Sequence, residues 1–284
     1  MIQIEITNIC NIDCVYCNRK TDSSFFSSGS KSMTPKEFDH ILDSLLNYSK
    51  DLTKQRLAIC GLGEPFMNPQ FLNILQNDKI SNFDNFDFST NGTVMSKSII
   101  EQLTNIDYKL HIRFSLQSIN QTQMEKMQVG ASFKNVITNI RNFELTRRKK
   151  EKDNIIVKIQ NLQTPMTENE TMEDFEKIIG LSFNDNFVYN KKRGVQITSN
   201  NESISDWPSA RLKCSRYGQN IIFNVYGDLT ACCWDCSRDQ IYGNIFEDTL
   251  DNIRNNVLIK QRRNELKNNQ FNHLPICERC LKHD

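Results

Sequence analysis

Through residues 1–200, short apolar runs of strand length alternate with amphipathic helical stretches, and this alternation limits the chain to a parallel sheet covered by helices. The strand-like runs fall at Ile2 to Thr7, Leu57 to Gly61, Phe86 to Thr90, Leu110 to Leu116, Ile155 to Leu162 and Val195 to Thr198. Between the first two, Thr34 followed by Pro35 and Glu37 spells a helix start, with Thr34 as N-cap and Pro35 at the first helical position. Phe38, Ile41, Leu42, Leu45 and Leu46 then repeat with a period of about 3.6 residues. Further helices are predicted at Pro69 to Asn77, Ser96 to Leu103, Phe133 to Arg148 and Thr171 to Ile179. Right-handed crossovers between six such repeats give an α/β fold, a partial (β/α)6 TIM-like barrel. Past Asn201 the strands shorten and cysteines crowd, so the barrel is assigned to residues 1–200 and a small second domain to 201–284.

Composition narrows the function classes. With 38% hydrophobic residues in 284 positions the chain can bury a sizeable core. Thirty-five basic against 34 acidic residues leave a net charge of +1, which carries no electrostatic footprint of nucleic acid or of an anionic membrane. The basic run Arg147 to Lys150 reads as a solvated helix end. The opening Met-Ile-Gln-Ile-Glu-Ile alternates like a strand and lacks the features of a signal peptide, and no apolar run reaches the roughly 18 to 20 residues that span a bilayer. A cytoplasmic protein is the expectation. Its ten cysteines, in a reducing compartment, then point to metal or redox chemistry.

In open sheets and barrels of this class the chemistry sits at the C-terminal ends of the strands. Cys10 follows the first strand, Gly61-Leu62-Gly63-Glu64-Pro65 the second, Ser89-Thr90-Asn91-Gly92 the third and Ser115-Leu116-Gln117 the fourth. Cys10, Cys14 and Cys17 have the spacing C-x3-C-x2-C. Three thiolates suit three irons of a cubane and leave one iron open to chelate a ligand, whereas a structural zinc needs four closed ligands. Buried structural cysteines, or zinc with a remote fourth ligand, are the competing readings.

This spacing, with aromatic Tyr16 just before the last cysteine, resembles the radical S-adenosylmethionine (SAM) superfamily. The resemblance implies a [4Fe-4S] cluster on Cys10, Cys14 and Cys17 whose open iron binds the amino and carboxylate groups of SAM. Reductive cleavage of SAM then yields a 5'-deoxyadenosyl radical, which abstracts hydrogen from a substrate C–H. The segment at 61–65 is similar to the family's Gly-Gly-Glu element, implying that Gly63 and Glu64 contact the methionine ammonium. Residues 89–92 and 115–117 are similar to its Thr-Asn-Gly and Ser-Leu-Asp stretches, which places Asn91, Ser115, Gln117 and Tyr16 at the cofactor. Gln117 stands where the family has an acid. Met127-Gln128-Val129-Gly130 stands where the family often carries an Arg-Gly-Gly-like segment, and the arginine is absent.

Six further cysteines, Cys214, Cys232, Cys233, Cys236, Cys277 and Cys280, crowd the C-terminal part, a density that packing alone does not explain. His273, Cys277, Cys280 and His283 are spaced closely enough for zinc. The order and spacing also resemble the SPASM and twitch auxiliary-cluster extensions of radical SAM enzymes, and are similar to those of the superfamily's aminocyclitol dehydrogenases. That resemblance implies an auxiliary [4Fe-4S] cluster on Cys214, Cys232, Cys277 and Cys280, with the shorter twitch form fitting the four residues after Cys280. A filled four-thiolate cluster moves electrons rather than binding substrate. The expected activity is therefore dehydrogenation of a hydroxylated small molecule, a sugar or an aminocyclitol, with a flavodoxin or ferredoxin as reductant. Peptide maturation and epimerisation are the alternatives. Arg113, Cys233 and Cys236 are the catalytic candidates, and Cys60 reads as buried wall.

Overall fold

The computed structural model describes residues 1–17, 19, 29–163, 167–193, 196–197, 203–204, 217, 220–233, 235, 240–274 and 277–278. Six parallel strands, β1 (Ile2–Ile4), β2 (Arg56–Ile59), β3 (Asn85–Thr90), β4 (Leu110–Ser115), β5 (Ile155–Gln163) and β6 (Phe187–Arg193), pair in sequence order. This is the expected (β/α)6 order. Three C-terminal strands, β7 (Ile221–Phe223), β8 (Asp228–Thr230) and β9 (Ile241–Asn244), extend the same sheet beyond β1. β7 runs parallel to β1, and β8 and β9 follow antiparallel.

Helices α1 (Pro35–Tyr48), α2 (Phe71–Ile74), α3 (Lys97–Leu103), α4 (Gln121–Met127), α5 (Phe133–Lys149) and α6 (Met172–Ile179) make the crossovers. α1 begins with the predicted capping box: Thr34 accepts from the Glu37 amide, and the Glu37 carboxylate accepts from the Thr34 amide at 2.7 Å. Its Phe38, Ile41, Leu42 and Leu45 are buried. Along β4 the alternation is complete. Leu110, Ile112 and Phe114 are buried toward the helices, where Phe114 meets Phe143 of α5 at 6.0 Å between ring centres. His111, Arg113 and Ser115 face the barrel interior, which is unusually polar.

Three expectations change. The sixth strand lies at Phe187–Arg193 rather than 195–198, since Phe187 and Tyr189 pair with β5 and the Lys191-Lys192-Arg193 end disguises an edge strand. Gln196–Ile197 instead pairs antiparallel with Ser203–Ile204. α4 goes unrecognised in the sequence, because it buries only Met124 and Met127 and so shows little periodicity; Asn120 caps it by accepting from the Gln123 amide. The basic run at 147–150 is not wholly solvated. Arg147 is buried and donates twice, at 2.8 Å each, to the fully buried Glu144 one helical turn away.

Candidate active site

The C-terminal ends of β1 to β5, together with the β7–β8 segment, surround one cavity of about 450 Å³, a volume in the range of cofactor sites. Cys10, Cys14 and Cys17 lie at one side of it, and Cys60, Cys232 and Cys233 also line it. The segment bearing the first three is braced from below. Asp13–Cys14 pairs antiparallel with Gln128–Val129, the Val15 amide donates to the Met127 carbonyl at 3.0 Å, and the Cys17 amide donates to the Cys14 carbonyl at 3.1 Å. Arg19 donates to Asp13 at 2.9 Å. Burial raises the Cys10 thiol and pushes Cys14 up to about 12, so bare thiolates are disfavoured here and a cationic centre is needed to hold them ionised. Among the described residues no three His, Cys, Asp or Glu side chains converge on a single ion. A cubane is wider than an ion and its corner irons spread the thiolates apart, so the donor set fits a cluster.

Gly63 must be glycine because the chain entering the cysteine segment presses on it: a Cβ there would stand 2.2 Å from the Thr7 carbonyl oxygen and 2.8 Å from that of Ile9. The Glu64 amide donates to the Ile9 carbonyl at 2.9 Å. Its carboxylate is buried and accepts from Thr90 Oγ1 at 2.7 Å and from the Asn91 amide at 2.7 Å, which ties the end of β2 to the end of β3. Burial pushes Glu64 up to about 7, against these hydrogen bonds, which act in the opposite direction. Asn91 Nδ2 reaches Asn11 Oδ1 at 3.0 Å and Cys10 Sγ at 4.0 Å. Its amide thus braces the cysteine segment from the cavity wall.

The Tyr16 hydroxyl hydrogen-bonds Cys14 and Gln117, and burial holds the phenol well above its ordinary value. Ser115 and Gln117 line the cavity. Asn161 Nδ2 donates to the Gln117 carbonyl at 2.8 Å, and Glu170 accepts from Asn161 at 3.3 Å, from the Ile119 amide at 3.1 Å and from Ser118 Oγ. The main chain at Gln117 is therefore held through Asn161, which a buried acid holds in turn. Sequence reasoning missed Glu170 because it lies on a loop far along the chain. It also missed Glu5, which lines the cavity and accepts from the Leu62 amide at 2.7 Å and from the Val225 amide at 3.3 Å. The one signal for Glu5 was an acid among the isoleucines of a buried strand.

Arg113, a catalytic candidate by sequence, does not line the cavity. It points down the barrel to Asp87, which also takes two bonds from Arg56. Cys60 lines the cavity wall, and burial pushes its thiol up to about 11, so it stays protonated. Cys277 is buried. Cys214, Cys236, Cys280 and His283 lie outside the described residues. His273 is exposed, and its Nδ1 stands 3.3 Å from Glu265.

Family profiles match almost the whole chain: the radical SAM superfamily over residues 4–182 and SPASM, an iron-sulfur cluster-binding domain, over residues 214–281. A probable GTP 3',8-cyclase from Methanocaldococcus jannaschii is 26% identical over 140 residues, which cover 49% of this chain and 44% of that protein. The chain thus spans less than half the length of that relative. Among solved structures, BtrN in complex with AdoMet and 2-DOIA is similar with a TM-score of 0.56 and 16% identity, covering 94% of this chain and 86% of BtrN. Streptococcus suis SuiB bound to the precursor peptide SuiA gives a TM-score of 0.60 at 16% identity, covering 92% of this chain and 66% of SuiB. These likenesses show a shared fold.

Proposed function

The chain belongs to the radical SAM superfamily and carries the SAM-binding [4Fe-4S] cluster and an auxiliary iron-sulfur domain, and on that footing we propose that it dehydrogenates a hydroxylated small molecule, a sugar or an aminocyclitol. One observation supports this reading: Cys232, from the second cysteine group, lines the same cavity as Cys10, Cys14 and Cys17. When bound, the first cluster and SAM would supply the radical chemistry that activates a carbinol C–H, and the auxiliary cluster would supply an acceptor for the electron released as the carbinol becomes a carbonyl. Cys10, Cys14 and Cys17 hold the first cluster, in the barrel of residues 1–200. Cys214, Cys232, Cys277 and Cys280 hold the auxiliary one, in residues 201–284. The Gly63 carbonyl and Glu64 would receive the SAM ammonium, Tyr16, Ser115 and Gln117 would line the same cofactor, and Asn91 braces Cys10. A flavodoxin or ferredoxin supplies the first electron.

The test is iron and sulfide per chain after anaerobic reconstitution, beside a variant with Cys10, Cys14 and Cys17 changed to Ala. About eight irons falling to about four is expected; four falling to none removes the auxiliary cluster and with it the oxidation. Turnover with polyols should release 5'-deoxyadenosine together with an oxidised product.

Epimerisation is the second reading, because Cys60 presents a protonated thiol to the cavity and Cys233 lines it too. Solvent deuterium retained at the reacting carbon would favour it over dehydrogenation.

A further inference from the structure

Gln128 is the feature the reading above leaves unused. Its backbone lies across from Cys14, its side chain is fully buried, and it lines the cavity. The amide orientation follows from its neighbours. Nε2 donates to the Ser115 carbonyl at 3.1 Å, and a carbonyl oxygen can only accept, so Oε1 must face away from it. That Oε1 is buried and has no hydrogen-bond partner. Gln160, across the sheet from Ser115, lines the same cavity with its own Oε1 unpartnered. Among the described residues no Lys, Arg or His lines this cavity, so nothing cationic stands in for the arginine missing from the segment at 127–130.

A buried acceptor without a donor is unfavourable, and native cavities supply the donor from protein, water or ligand. We propose that Gln128 is a binding residue for the cofactor, its Oε1 accepting a hydrogen bond from a ribose hydroxyl of SAM. The chemistry selects the group. An acceptor repels the SAM carboxylate, and the ammonium is assigned to Gly63 and Glu64. The remaining donors are the ribose hydroxyls and the adenine amino group, and the hydroxyls are the ones that Ser115, whose carbonyl Gln128 Nε2 bonds, and Gln117 also suit. This inference rests on the reading that SAM occupies this cavity.

The test compares ligands on the same protein, so a partly misfolded variant cannot mimic success. Equilibrium dialysis of the reconstituted wild type and of Gln128→Leu is run with SAM and with its 2'-deoxy and 3'-deoxy analogues. In the wild type, removing one of the two hydroxyls should weaken binding about fivefold, as expected for one hydrogen bond. In Gln128→Leu, SAM should bind about fivefold more weakly, and that same deoxy analogue should bind no more weakly than SAM does. Equal losses for SAM and both analogues in the variant would assign Gln128 a structural role and overturn the proposal, as would a variant that binds SAM like the wild type. A wild type that binds no SAM would remove the underlying reading as well, and shows itself before any variant is made.

Discussion

Replacing Asp87 by Asn tests whether the polar barrel interior beneath the site is a structural ion cluster. The Asp87 side chain is 4% exposed, that of Arg113 11% and that of Arg56 37%. Removing the carboxylate leaves Arg113 nearly buried without a counter-ion, with Lys158 as its register neighbour on β5 adding a second positive charge. Deleting one partner of a buried pair costs about 3–5 kcal/mol. Arg56 can turn toward water, which puts the expected loss at the low end, about 3 kcal/mol. Urea unfolding followed by circular dichroism measures it. A double variant, Asp87→Leu with Arg113→Met, removes both buried charges of the pair and should recover at least half of that loss, since apolar replacement of buried ion pairs is often neutral. The double variant should still cleave SAM, because Arg113 does not line the cavity. A loss under about 1 kcal/mol for Asp87→Asn, or no recovery in the double variant, would refute the structural assignment; loss of SAM cleavage in a stable double variant would return Arg113 to catalysis.

Gly63→Ala places a methyl group 2.2 Å from the Thr7 carbonyl oxygen, and the obstacle is backbone that cannot turn aside. Overpacking of this kind costs about 1–3 kcal/mol, and the relief must move the chain leading to Cys10, so iron retained through gel filtration should fall; a variant with wild-type iron would contradict the packing. The Glu64 carboxyl, raised by burial from 4.5 to about 7, sets two pH trends. A raised pKa means the neutral form is favoured in the folded state, so its contribution to apo-protein stability is full below the ordinary value of 4.5 and lost as pH rises through about 7. With the SAM ammonium on the Glu64 carboxylate, as proposed, affinity should rise across the same window and the rise should vanish in Glu64→Gln. Calorimetric titration at several pH values decides it, and a flat wild-type profile would separate Glu64 from the ammonium.

How far the sequence reached differs from element to element. α1 was legible because its signals are local: a capping box, a proline and a regular apolar stripe act within one segment, and the structure reproduces each. The strand order was legible because strand–helix alternation admits few topologies. α4 and β6 were missed because their stability comes from neighbours rather than from their own patterning, two methionines in one and pairing with β5 in the other. The cysteine motif was readable as chemistry because C-x3-C-x2-C fixes three ligands on one short segment.

What the sequence determined by itself was the set of parts: a six-repeat parallel barrel, a cysteine segment suited to a cubane and a second cysteine-rich stretch. Only the tertiary structure decided which residues share a space. It brought Cys232 and Cys233 to the cavity of Cys10 and joined β7 to β1. It turned Arg113 away to Asp87 and set Glu5 and Glu170 as buried acceptors for loops far along the chain. The physical reason is range. Helix capping and motif spacing act between residues a few positions apart, whereas a buried charge finds its partner, and an amide oxygen such as that of Gln128 its lack of one, only after distant strands close around it.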